Sequence, residues 1–271
     1  MKKLLMALAL FTASAAGAAE YSDLYIVPIA GHSHGAYGTS WRSDVMLHNI
    51  QQVPITVEIA MVENGRSPSA EPVAIGAGTR LSPGETRLLS DVAGALQRDV
   101  AGALIVGADM PFAVTSRTWA ELPAGRTLGQ TVSPVAISGT ADAVNDLAVL
   151  PSLADSDRQR SNVGVFIAAS RAPLVVEITA LSPSGTTLGS QSVVVAEPGF
   201  IHRQLSLAQI AGAATSATAV VRIVEGDGIV VPYASIIDNA SAEAAFVSGE
   251  PISAHGKTTL GMLLGVVRVR K

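Results

Sequence analysis

The residues best suited to chemistry in this chain of 271 residues lie in Gly31-His32-Ser33-His34-Gly35. The stretch matches G-x-S-x-G, the sharp turn that exposes a serine nucleophile between a buried strand and a helix in α/β-hydrolases. It also sets His32 and His34 two residues apart. On a strand such residues point the same way, so both imidazoles can face one metal ion, with His48 or Asp44 as a third ligand. The surroundings weaken both uses. A strand over 24–28 precedes the motif, but Ala36-Tyr37-Gly38-Thr39-Ser40 has no helical character. Ser33 also comes too early for the strands and oxyanion loop that precede such a serine. A histidine pair between glycines equally suits a solvated polar loop, which is the expected reading.

A second polar set is Arg42 and Asp44, two apart on one strand face, with Arg160 and Asn162 repeating the arrangement. A polar pair present twice reads as architectural: a charge-assisted pair, joined by Arg117 or loop backbone, pinning the entry to the fold. Ile236 stands where a second Arg117 would be. The functional alternative is an arginine clamp for a carboxylate. His202 and His255 have no companions and read as surface residues. His255-Gly256-Lys257-Thr258-Thr259 is no P-loop, because residue 251 is proline where that motif needs glycine. Trp41 and Trp119, the only tryptophans, occupy strand positions and read as core. No paired acids at catalytic spacing stand out, and nothing calls for a cofactor.

What positions these residues is a duplication. Trp41–Val45 is echoed by Gln159–Val163, Val53–Ile59 by Ala172–Ile178, and Pro83-Gly84 by Pro198-Gly199. Val92-Ala93-Gly94 is echoed by Ile210-Ala211-Gly212, and Phe112–Thr118 by Val231–Ile237. The separations stay between 115 and 119 residues. Shared order and spacing make this one domain used twice, over 21–140 and 145–251, joined by the small polar stretch Ser138–Asp146. Each copy reads as β. Ile55–Met61 alternates apolar and polar faces, as does Leu174–Leu181. Turn residues separate further strands over 41–49, 103–108, 112–118, 188–195, 217–223 and 229–237. Seven or eight short strands per copy predict an all-β chain of two tandem antiparallel β-sandwich domains. One short helix per copy is expected, capped by Ser90 and by Ser206, the latter with Gln209 completing a capping box.

The ends and composition bound location and partners. Lys2 and Lys3, an apolar run from Leu4 to Phe11 and small residues up to Ala19 predict a secretory signal peptide over 1–19. Its removal costs two lysines and no acid, taking the formal charge from −4 to −6. An acidic chain lacks the basic patch that nucleic acid requires. There is no cysteine, which excludes disulfides, thiolate chemistry and a lipoprotein anchor. Residues 252–271 lie outside the repeat; they are apolar, then basic, and too short to span a membrane.

The segments 27–49, 81–96 and 102–119, with 230–247 in the second copy, resemble a family of bacterial exported proteins with tandem β-sandwich (immunoglobulin-like) domains. The carrying motifs are Trp41-Arg42-Ser43-Asp44 with Asn49 after a hydrophobic strand, Pro83-Gly84-Glu85-Thr86, and Thr115-Ser116-Arg117-Thr118. The resemblance covers nearly the whole mature chain. It implies the fold and a periplasmic or extracellular location, and attaches no catalytic activity. The expectation is a non-enzymatic structural, adhesive or protein-interaction module. Its partner would be a protein or cell-envelope component, with self-association through sheet edges. A periplasmic metal- or small-ligand-binding protein using His32 and His34 is the alternative, and a Ser33 hydrolase the remote one.

Overall fold

The computed structural model describes residues 21–254, apart from 36–37, 123–124, 126 and 138–146. The segment 1–19 read as a signal peptide, the stretch 138–146 read as a linker, and residues 255–271 with His255 therefore lie outside the described residues. Domain 1 contains β1 (Ser22–His34), β2 (Ser40–His48), β3 (Ile55–Glu63), β4 (Val73–Ala74), β5 (Thr79–Leu81) and β6 (Thr86–Leu89). A single helical turn, Val92–Leu96, leads to β7 (Val100–Glu121), β8 (Thr127–Val132) and β9 (Val135–Ala136). Domain 2 contains β10 (Ala148–Asp155), β11 (Gln159–Leu181), β12 (Thr187–Val195), β13 (Gly199–Ser206), α1 (Leu207–Ala211), β14 (Ala214–Asp238), β15 (Ala244–Ser248) and β16 (Ile252–Ala254).

Both domains have the expected antiparallel sandwich form, built on strands that run from one sheet into the other. The first part of β7 pairs with β1 and β3, and its last nine residues pair with β2 and β8. The front sheet of domain 1 is thus β9-β1-β7-β3 with β4 and β5, and the back sheet is β8-β7-β2-β6. Domain 2 repeats this with β10-β14-β11-β12 in front and β15-β14-β11-β13 behind. Segments 103–108 and 112–118, which read as two strands, are one. So are 217–223 and 229–237, and Glu225-Gly226-Asp227-Gly228 is a corner inside β14 rather than a turn between strands. Strands that switch sheets at such corners are how a sandwich closes without long connections.

The duplication is visible in detail. Pairing slips at the same point in both copies, between Val27 and Ala30 in β1 and between Leu150 and Leu153 in β10. Ser43 Oγ accepts the Gly31 N–H at 2.8 Å, and Ser161 Oγ accepts the Ala154 N–H at 3.0 Å. Gly31 therefore corresponds to Ala154, and His32 to Asp155. Two echoes shift by register. Asp44 faces Arg117 and Asn162 faces Ser235, so Ser235, not Ile236, stands for Arg117. The helices correspond with Val92 at Leu207. Ser206 accepts the Gln209 N–H and the capping box is complete. Ser90 caps nothing: the first residue before the turn is Asp91, at φ 47°, and its side chain makes no cap bond.

Alternation explains the core and one contact that the duplication does not foretell. In β7, Leu104 and Val106 point into domain 1 against Val57, Ile59 and Met61. Ala103 and Ile105 point the other way, and with Leu24, Ile26 and Val62 they pack on Phe166, Ala168, Phe200, Ile229 and Val231 of domain 2. The front sheet of domain 1 thus lies on the back sheet of domain 2. Strands buried on both faces lose their polar alternation, which is why 103–106 and 163–169 are nearly continuous apolar runs. Backbones also meet: the Gly65 N–H donates to His202 O at 3.1 Å. Gly199 passes so close to Pro68 that a Cβ there would sit 2.1 Å from its carbonyl oxygen. His202, read as a surface residue, is buried at this boundary with Nε2 2.8 Å from Tyr233 Oη, and desolvation pushes its pKa down to about 3. Ile252, placed in the extension, belongs to the domain 2 core.

Candidate functional site

The Gly31–Gly35 stretch is mostly strand. β1 runs through His34 and returns through a hairpin into β2, pairing Ser33 with Trp41 and His34 with Ser40. Ser33 lies within β1 and pairs with Trp41 of β2, rather than on a strained turn at the end of a strand. Gly35 is needed for another reason: a Cβ there would lie 2.5 Å from the Trp41 indole nitrogen. His32 and His34 occupy one face of β1, as their spacing requires, while Gly31 and Ser33 occupy the other. Among the described residues, no imidazole bonds to the Ser33 hydroxyl.

The three candidate metal ligands go to separate partners. His32 Nδ1 lies 3.0 and 2.8 Å from the two Asp91 oxygens. His34 Nδ1 lies 3.0 Å from Asp99 Oδ2, and that bond holds the exposed Asp99 carboxyl below the usual carboxylate range. His48 Nδ1 lies 2.8 Å from Thr86 Oγ1. The proposed trio does not assemble, because β1 meets β2 at Trp41 and Ser40 while His48 sits at the far end of β2. Among the described residues, no group of three His, Cys, Asp or Glu able to hold a metal ion is present.

Asp44 is the centre of a polar knot. Its side chain is 6% exposed. Oδ1 accepts the Asp91 N–H at 2.9 Å; Oδ2 accepts Arg117 Nε at 2.9 Å and Trp119 Nε1 at 3.1 Å. Burial alone would raise this carboxyl, but the Asp91 amide, Arg117 and Trp119 outweigh it and hold it below the carboxylate range. The Arg117 guanidinium lies over the Trp119 ring, 5.7 Å from its centroid. Arg42 does not pair with Asp44. It donates to Trp41 O at 2.7 Å and lies 3.4 Å from Asp91 Oδ2. The cross-strand neighbour of Asp44 in register is Arg117, and opposed residues sit closer than residues two apart along a strand. Asp91 escaped the sequence reading because it precedes a helix and looks like part of a cap.

The corresponding place in domain 2 has an amide in place of the acid and opens into a cleft. Asn162 stands for Asp44, and Arg160 donates to Asn239 Oδ1 at 2.6 Å. Arg160, Asn162 and Ser235 face Ser33, Trp41 and Gln130 of domain 1 across a cleft of about 250 Å³. Gln130 Nε2 donates to Ser235 Oγ at 3.2 Å, tying the domains together. Trp41, read as core, is half-buried on the cleft wall. Residues over 100 positions apart meet here, and no local pattern marks them.

A second feature is a bare sheet face. The outer face of the domain 1 front sheet is covered by domain 2, with Leu24 and Ile26 at 0% exposure. Their counterparts in domain 2, Leu147 and Val149, are 45% and 48% exposed. Val194 and Val224 on the same domain are also exposed. Arg222 and Glu177, opposed in register, lie 3.8 Å apart on this sheet. On its far side β10 has no strand pairing like that of β9 with β1, among the described residues.

No protein-family model matches the chain, and no curated protein matches it. Among solved structures, Thermotoga maritima 1070 is 10% identical with a TM-score of 0.33, covering 43% of this chain and 96% of that one. A Bacteroides uniformis β-glucuronidase is 11% identical with a TM-score of 0.19, covering 79% of this chain. The chain spans only 26% of that enzyme's length. Similarities this low carry no argument about activity.

Proposed function

We propose that the chain is a non-enzymatic module, exported to the periplasm or beyond the cell, that acts through protein contact, first with a second copy of itself. The observation that carries this reading is the bare front sheet of domain 2. The same surface in domain 1 is covered by a sheet, so a β-sheet is what this face is shaped to receive. The back sheet of domain 1 is a poor complement: by register it has His48 where domain 2 presents Phe166 as an anchor. The bare face is instead complementary to itself. It carries valines around the opposed pair Arg222 and Glu177, so a two-fold axis brings Arg222 of each copy to Glu177 of the other.

Light scattering on the chain from Glu20 tests this. The expected result is a dimer at about 100 μM, a concentration that weak specific pairs reach. Val149→Arg with Val194→Arg is expected to give a folded monomer. Arg222→Glu and Glu177→Arg are each expected to be monomeric, and their mixture to dimerise. A monomeric wild type, or a mixture that stays monomeric, overturns the proposal.

A further inference from the structure

We infer that His202 is an acid-sensitive latch: a proton taken up by its ring releases the back sheet of domain 2 from the front sheet of domain 1. The latch is independent of self-association, because the bare face belongs to the other sheet of domain 2.

The latch uses side chains that a sandwich of this kind does not need. The His202 ring stacks on Tyr233 with centroids 5.8 Å apart, and Tyr233 stacks on Phe246 at 5.9 Å. Gly164 makes room for the stack, since a Cβ there would sit 2.1 Å from the Tyr233 ring. By register the counterparts of His202, Tyr233 and Phe246 in domain 1 are Thr86, Thr115 and Thr131, all exposed. Domain 1 folds with threonines at these places, so the stack belongs to the boundary and not to the fold of one domain. The strand that carries His202 also carries backbone bonds across the boundary. The His202 carbonyl accepts the Gly65 N–H at 3.1 Å, and the Gln204 N–H donates to Asn64 Oδ1 at 3.1 Å.

Only the neutral ring fits this place. Burial keeps the Tyr233 hydroxyl protonated, so its O–H donates to His202 Nε2 across 2.8 Å. The proton of the neutral ring then sits on Nδ1. That atom makes no full hydrogen bond among the described residues, and the Pro28 carbonyl of β1, in domain 1, is the acceptor that draws on it. A second proton would occupy Nε2, take the acceptor away from the Tyr233 hydroxyl and leave a cation out of water. Among the described residues no carboxylate acts on the ring, and Arg203 on the same strand opposes the charge. Phe166 of β11, Tyr233 of β14 and Phe246 of β15 are uncharged, and Glu63 at the end of β3 is held by Arg66 and Arg98. Burial thus takes the ring from its ordinary 6.5 down to about 3 while the domains are docked. Docking is fully favoured above pH 6.5 and weakens as pH falls from there toward 3, because only the released ring holds the proton in that window.

The chain has no cysteine, so a single introduced thiol reports on the boundary. In the chain from Glu20, Ala103→Cys and Ala168→Cys place it inside the contact, one in each domain. Ala180→Cys places it in the core of domain 2. Each thiol is labelled with a pyridyl disulfide, and each rate is divided by that of the urea-unfolded chain at the same pH. Between about pH 7.5 and about pH 5 the two boundary thiols are expected to react about thirtyfold faster. The Ala180→Cys thiol is expected to change by less than about threefold, because domain 2 is released and not unfolded. His202→Gln, and His202→Phe, which keeps the stack, are each expected to abolish the acid response at both boundary positions. A boundary response under about threefold, the same response without His202, or an equal response at Ala180→Cys overturns the inference.

Discussion

Near the start of the second strand domain 1 carries Asp44 and domain 2 carries Asn162, and the surroundings follow that single charge. Around Asp44 an amide, a guanidinium and an indole converge, because a buried carboxylate must have its acceptor sites filled. Asn162 itself carries no charge to neutralise. Arg160 turns to Asn239, and the space that Arg117 and Trp119 fill in domain 1 stays open toward the neighbouring domain. The outer faces differ in the opposite sense. Domain 1 hides its front sheet under domain 2, while domain 2 leaves Leu147 and Val149 bare. One domain is knotted and covered; its copy is open at one end and uncovered in front.

Two substitution pairs and one single substitution break or sharpen this contrast. The largest effect is expected at the covered face. Phe166→Ala empties the middle of the interdomain core and is expected to cost about 3–5 kcal/mol in urea unfolding. His48→Ala, at the matching place in domain 1, is expected to change stability by less than about 0.5 kcal/mol. Next is the knot. Asp44→Asn keeps the shape and removes the charge, with an expected loss of about 1.5–3 kcal/mol at pH 7. The Asp44 carboxyl is lowered on folding, so its contribution is complete above the ordinary value of 3.8 and is lost as pH falls through the lower folded value. Wild-type and Asp44→Asn stabilities are therefore expected to converge in acid; a constant gap would contradict the charge account. The smallest contrast is between the helices. Ser206→Ala breaks a complete capping box and is expected to cost about 0.5–2 kcal/mol, whereas Ser90→Ala is expected to cost almost nothing.

Much of the fold was legible because period-two alternation and a repeat near 118 residues are both local counts. Ile55–Met61 shows its two faces in its own letters. The register between copies was harder, since short apolar strands resemble themselves after a shift, and Ser235 was mistaken for its neighbour Ile236. The end of β1 was hidden by glycine and histidine, which carry little strand preference, so Gly31–Gly35 read as a loop. The candidate site was legible in part. Arg42, Asp44, Arg117, Arg160 and Asn162 were singled out, and Arg117 was named as a partner of Asp44, but Asp91, Gln130 and Asn239 were not, because they come from distant parts of the chain. The face of one sheet that meets another domain leaves a fainter trace: the near-continuous apolar runs at 103–106 and 163–169.

The front-on-back contact has a consequence for the order in which the chain becomes safe. Domain 1 has all its strands once residue 136 is made, but the cover for Leu24, Ile26 and Ile105 is built from Phe166 through Val231. For the synthesis of nearly a hundred further residues a finished sandwich presents a greasy sheet to its surroundings. At about 5–20 residues per second that interval lasts roughly five to twenty seconds, long compared with the about 10–100 microseconds in which a chain of this length collapses. The nascent first half is the stage at which this protein is most exposed to misassembly, and a holding chaperone would meet the same surface that the second half later claims.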